Sequence, residues 1–173
     1  MAGPQQFCTF YLENYLFGIE LLKVQEVIQQ LELTEVPLAP FVVRGLMNLR
    51  GQIVIAVDLR RQLELADRPP DKVPMNVVVR AGGDAVSLLV DDIGDVVEVG
   101  EETFEPPPET LHGRVRSVIL GVHKLDKQLM HVLDTDRACA MDEQPAPSSD
   151  STEAGNPTLP RRVLFRNPEE KNK

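Results

Sequence analysis

Short apolar runs rich in β-branched and aromatic residues, each closed by polar turn signals, dominate the chain as far as Met141. Phe7-Cys8-Thr9-Phe10-Tyr11-Leu12, Val24 to Leu31, Gln52 to Val57, Met75 to Val79, Ala85 to Val90 and Val96 to Val99 read as strands. Glu13-Asn14 and Gly82-Gly83-Asp84 supply turns between them. Helical patterning is brief. It predicts one turn at Phe41 to Arg44 after Pro40, a helix over Asp58 to Leu65 with Asp58 as N-cap, and another over Asp134 to Met141 capped by Asp134 or Thr135. The fold class is mainly β, and short strands at this spacing suggest a sandwich or barrel.

The chain also repeats itself. At an offset of 69, Phe17-Gly18-Ile19-Glu20-Leu21 falls on Val86-Ser87-Leu88-Leu89-Val90, and Glu26 falls on Asp95. At an offset of 76, Gly45 meets Gly121, Gln52 meets Gln128 and Asp58 meets Asp134. The Gly, Gln and Asp identities carry more weight than matches among Val, Leu and Ile, which chance supplies easily. The repeat predicts two similar β-barrels of about five strands, neither burying much core alone, packed together with a groove between them.

Composition shifts after Met141. Residues 142–160 hold four Pro, four acids and no basic residue, the pattern of a solvated, flexible linker that cannot bury a core. Residues 161–173 reverse the sign, five basic against two acidic, around Val163-Leu164-Phe165. The folded unit is therefore placed at residues 5–141, followed by a disordered tail whose end is a candidate docking peptide.

Net charge is −9 over 173 residues, with a pI near 4.8, which argues against non-specific nucleic-acid binding and against an anionic membrane surface. The N-terminus lacks the basic and apolar regions of a secretory signal, and no apolar run approaches the ~18 residues of a spanning helix. These features point to a cytoplasmic protein without direct membrane insertion. Cys8 and Cys139 share no metal-type spacing and read as free thiols.

The most distinctive stretch runs from Gly45 to Arg60. Arg50-Gly51 is a tight turn between two apolar strands, with Gly51 supplying a positive φ. Arg50 borders runs that otherwise bury their side chains, and Glu26 sits among Val24, Val27 and Ile28. A partly buried charge needs a partner, so the two are expected to pair.

Phe17 to Val27 with Val36-Pro37, then Asn48-Leu49-Arg50-Gly51 and the strand ending Val57-Asp58-Leu59-Arg60, resemble the CheW family of bacterial chemotaxis coupling proteins. Val86 to Ile93 resembles that family's strand ending in Val-Asp, and Pro106-Pro107-Pro108 stands at its Pro-rich turn. The resemblance covers residues 5–141. It implies two packed SH3-like five-stranded barrels, no catalytic activity and no cofactor. It further implies an adaptor bridging the cytoplasmic tips of methyl-accepting receptors to the regulatory domain of the histidine kinase CheA, itself CheW-like, in membrane-associated arrays. The implied receptor-binding groove carries over to Val24, Glu26, Val27, Arg50, Ile93 and Val96. Two departures stand out: Ser87 replaces a Gly usual in the family, and acids flank the Pro turn at Glu105 and Glu109. An adaptor of a non-flagellar chemosensory pathway is the alternative.

Enzyme readings are weaker. His123 and His131 could face each other across a hairpin centred near Lys127, which would set two imidazoles at metal-binding distance; exposed strand histidines are the plainer alternative. Asp91 and Asp92 are strand neighbours, which point to opposite faces and cannot share a reacting atom. Gly82-Gly83-Asp84 is a hairpin turn and not a phosphate-cradling loop.

Overall fold

In the computed structural model, which describes residues 3–29 and 31–142, eleven strands form two sheets. The first seven are β1 (Gln5–Leu12), β2 (Tyr15–Glu20), β3 (Val24–Ile28), β4 (Val43–Leu49), β5 (Gln52–Asp58), β6 (Met75–Ala81) and β7 (Asp84–Val90). Then come β8 (Asp92–Val99), β9 (Phe104–Glu105), β10 (Ile119–Lys124) and β11 (Leu129–Leu133). The short helices are α1 (Leu59–Gln62), α2 (Gly113–Val118) and α3 (Thr135–Ala138). The larger sheet runs β8-β1-β2-β11-β10-β9 and the smaller β3-β6-β7-β5-β4.

Each sheet draws on both copies of the sequence repeat. The hairpin β1–β2 of the first copy joins β8, β10 and β11 of the second, while β6–β7 of the second joins β3, β4 and β5 of the first. The only parallel pairings among the named strands close the two exchanges, and they obey the sequence offsets. Ile55 faces Val86 and Ala56 faces Ser87 in one sheet; their counterparts His131–Phe17 and Val132–Gly18 pair in the other. Asp58 N–H donates to the Val42 carbonyl and Asp134 N–H to the Val118 carbonyl, both at 2.8 Å, and the second bond is the repeat's copy of the first.

The paired glycines have a common cause. Gly45 and Gly121 stand at equivalent bulges, and a crossing backbone passes close over each. A Cβ at Gly45, whose φ is +151°, would lie 2.6 Å from the Thr34 carbonyl; at Gly121 it would lie 2.5 Å from the Glu105 carbonyl and 2.4 Å from the Phe104 ring. Only glycine leaves room for that approach.

Burial follows the same plan. Each sheet curls over a small core of its own, Phe7, Leu16, Val99, Met130 and Val132 in the larger, Met47, Leu49, Val54 and Val78 in the smaller. The main core, built around Phe10, Phe17, Leu59, Leu88, Leu111 and Val115, is contributed by both. Neither sheet could bury much apolar surface by itself, as the repeat predicts.

Several local expectations change. Phe41 to Arg44 is not helical: the Val43 N–H closes a turn on the Pro40 carbonyl, and the chain enters β4 at Val43. So short a run cannot offset helix nucleation, and the β-branched Val42 and Val43 favour extension. The strand from Val24 ends at Ile28 instead of Leu31. Tyr15–Glu20 is a strand although it is not among the runs read as such, and α2 occupies the end of the Pro-rich connection. Asp58 and Asp134 do cap their helices, accepting from the N–H groups of Arg60 (3.0 Å) and Arg137 (3.1 Å). Residues 143–173, with the linker and docking-peptide readings, lie outside the described residues.

Candidate functional site

The Arg50-Gly51 turn is built as its sequence predicts. Leu49 pairs with Gln52 across a two-residue loop in which Arg50 (φ +52°) and Gly51 (φ +85°) are both left-handed, the geometry that matches strand twist. Asn48 Oδ1 accepts from the Gly51 N–H at 2.8 Å and holds the loop. Arg50 Nη1 then reaches Glu26 Oε2 on β3 at 2.8 Å, so the expected pair forms. It is lopsided in burial: the Glu26 side chain is 18% exposed and that of Arg50 is 77% exposed. Arg50 is therefore not the half-buried charge that its neighbours suggest. The turn carries its head outward, while Glu26, whose Oε1 is buried without a hydrogen-bond partner, needs the ion pair more.

Val24, Glu26 and Val27 lie on β3, an edge of the smaller sheet; Ile93 and Val96 lie on β8, an edge of the larger. Val24 and Ile93 are half-buried against the main core. Val27 and Val96 face outward, 37% and 54% exposed. Offset by 69, Val27 and Val96 are counterparts, so the two edges present equivalent apolar positions. Only one carries the charge pair, because the counterparts of Glu26 and Arg50 are Asp95 and Asp126.

A second cluster is one that the sequence does not announce. Asp91, at the end of β7, has a fully buried carboxylate. It accepts from Arg60 through both Nε (2.9 Å) and Nη2, from Arg68 Nε (2.9 Å) and from the Glu13 N–H (2.7 Å). Asp58 lies 3.6 Å from Arg68 Nη1, and Arg60 Nη1 also donates to the Ala66 carbonyl at 3.1 Å. Burial alone would push the Asp91 carboxyl upward; the hydrogen bonds from Arg60 and Glu13, with the charges of Arg60 and Arg68, outweigh it and hold the carboxyl below its ordinary 3.8. The same contacts hold Arg60 charged against its own desolvation. This network fastens the β1–β2 turn, α1, the loop after it and the end of β7 to one another. Asp92 is exposed, as expected of a strand neighbour.

The two histidines do not face each other. His131 pairs with Val122 and His123 with Met130, one step out of register, so the rings project from opposite faces. Both are buried, not exposed. His131 Nδ1 donates to the Leu16 carbonyl at 3.0 Å, and His123 Nδ1 lies 2.8 Å from Thr103 Oγ1. Burial pushes both imidazoles below 6.5, against the Leu16 bond at His131 and the Glu102 charge at His123. Among the described residues, no group of three or more His, Cys, Asp or Glu is placed to hold a metal, and no helix is long and apolar enough to cross a membrane. Cys8 and Cys139 are buried free thiols, and burial followed by the nearby Asp136 pushes Cys139 up to about 12. Ser87 is accommodated by donating to Asn76 Oδ1 at 2.9 Å.

Comparison with known proteins places these features. A family model described as the CheW-like domain matches residues 6–143. The chain is 29% identical over 139 residues to the chemotaxis protein CheW of Klebsiella aerogenes, covering 80% of this chain and 84% of that one. It is 27% identical over 137 residues to CheW of Treponema pallidum, covering 69% and 81%. The scaffolding protein TtCheW from Thermoanaerobacter tengcongensis has a similar structure, with a TM-score of 0.70 at 26% identity over 76% of this chain and 90% of the other.

Proposed function

The chain belongs to the CheW-like domain family, and from that premise we propose that it is a non-catalytic scaffold of chemotaxis signalling. It couples the cytoplasmic tips of chemoreceptors to a CheA-type histidine kinase, and it works in the cytoplasm at receptor arrays. The observation that carries this reading is the Glu26–Arg50 ion pair, which presents an exposed guanidinium at the edge strand β3, whose other face carries the outward-facing Val27. Val27 and, on the equivalent edge of the other sheet, Val96 are exposed apolar positions of the kind a helical receptor hairpin would cover.

Val27→Asp and Val96→Asp test it, because both side chains already meet solvent and the fold should tolerate either. A charge that must be desolvated on docking should weaken receptor binding by more than ~1.5 kcal/mol, roughly tenfold in Kd. Co-sedimentation with receptor tips and kinase reads binding, and kinase autophosphorylation reads coupling. Folded variants that both sediment and activate like wild type would remove this surface from the interface. Val24→Asp is a poorer probe, since Val24 packs against the main core and the change would unsettle the fold.

A further inference from the structure

On the larger sheet, away from the Glu26–Arg50 pair, the strand β9 and the turn before it frame a cleft of about 380 Å³. Its walls are apolar. Phe7 is buried in its lining, while Phe104 and Leu120 are 43% and 47% exposed and stand together at its mouth. Its rim is acidic: Glu20 and Glu101 line it, and Glu102 follows in the same turn. Among the described residues none of these three carboxylates forms an ion pair with Lys or Arg, unlike Glu26, Asp58, Asp91 or Glu105.

The complement of that cleft stands in the same chain. Arg161-Arg162-Val163-Leu164-Phe165-Arg166 is an apolar triplet bracketed by arginines, in a segment 161–173 of charge +3 attached to residues 1–141 of charge −8. The connection between Asp142 and Arg161 spans at most about 65 Å when extended and about 24 Å as a coil. A domain of this length has a radius of gyration of about 14 Å, so the connection reaches any part of its surface. A tether this short also holds the segment at roughly millimolar effective concentration, so modest contacts suffice for occupancy.

We propose that residues 161–166 dock in cis into this cleft, their apolar side chains against Phe104 and Leu120 and their arginines against the Glu20, Glu101 and Glu102 rim. Charge complementarity selects the site, apolar burial holds the segment in it, and added salt weakens the contact.

A nitroxide attached through Asn167→Cys in the full chain tests this. Cys8 and Cys139 are buried and their thiols are held protonated, so the label goes to the new cysteine. In ¹⁵N spectra the expected result is loss of peak intensity at Leu120 and around residues 101–104, with the Asn48–Gly51 turn unaffected. The loss should be reversed by raising NaCl to about 0.5 M, by Phe165→Ser and by Glu101→Lys with Glu102→Lys. Adding Arg161→Glu and Arg162→Glu to the double-lysine variant should restore it. Broadening centred elsewhere, such as on Ile53, would overturn the proposal, as would broadening that ignores salt and these substitutions. Mixing spin-labelled unenriched chain with unlabelled ¹⁵N chain separates cis from trans: broadening that survives in the mixture means docking onto a second copy, and the cis reading fails.

Discussion

Replacing Asp91 with Asn keeps the size of the side chain and removes its charge, which isolates what the buried network contributes. The carboxylate is inaccessible to solvent, and Arg60 and Arg68 are 6% and 8% exposed at their side chains, so neither guanidinium can turn to water for compensation. Asp58 lies 3.6 Å from Arg68, too far to replace two charge-assisted bonds. Removing one partner of a buried pair costs about 3–5 kcal/mol. At roughly 3 °C per kcal/mol for a folded unit of this size, Asp91→Asn should lower Tm by about 10–15 °C. The pH dependence fixes the cause. The folded-state pKa of Asp91 is depressed, so its stabilisation is complete above its unfolded value near 3.8 and is lost as pH falls through the lower folded value. Urea unfolding of both proteins should therefore differ most at neutral pH and converge below about pH 4. A difference under ~1 kcal/mol at pH 7, or one that persists unchanged into acid, would refute the assignment of stability to this charge cluster.

Glu26→Ala should cost no more than ~1 kcal/mol of stability, because its partner is mostly exposed, yet weaken receptor binding more than that; a cycle with Arg50→Ala that is additive in binding would show that the pair does not act as a unit. Gly121→Val should drive Phe104 and Glu105 off β10, read as loss of NOE contacts between the Phe104 and His123 rings, and retained contacts there would contradict the close approach described above. Gln62→Ala removes an amide that donates to the carbonyls of Arg137, Ala138 and Ala140 and should cost about 1–3 kcal/mol by chemical denaturation, whereas an unchanged midpoint would mean water takes over those bonds.

The frame is largely legible in the sequence, and the reason is physical. Bulge glycines and helix-capping aspartates are dictated by backbone geometry, so Gly45 and Gly121, Asp58 and Asp134 mark equivalent places whatever the side chains around them. The Glu26–Arg50 pair can be read because both charges interrupt apolar stretches. Asp91 cannot: next to Asp92 it looks like half of a solvated acidic pair, and its cations, Arg60 and Arg68, stand well upstream, in and after a helix of a single turn. The histidines are misplaced by a single register step, since the turn between Lys124 and Leu129 decides which faces the rings occupy. The charged chemistry is also asymmetric. The counterparts of Asp91 and Arg60 are Leu22 and Asp136, so the repeat that predicts the frame misleads about the site.

The exchange of hairpins between sheets sets an order of events during synthesis. The smaller sheet has all its strands once Val90 has left the ribosome, but the larger cannot close until Leu133 emerges, because Leu16 of β2 pairs with Met130. The hairpin made first is thus among the last to find its place. Roughly 120 residues separate the ends of β1 and β11, which at about 5–20 residues per second is ~6–24 s of waiting. Throughout that interval Phe7, Phe10 and Phe17, all buried in the finished protein, lie on a hairpin whose own sheet is incomplete. A nascent chain stalled before Leu133 is accordingly a natural client for a holdase chaperone, and one stalled after it is not.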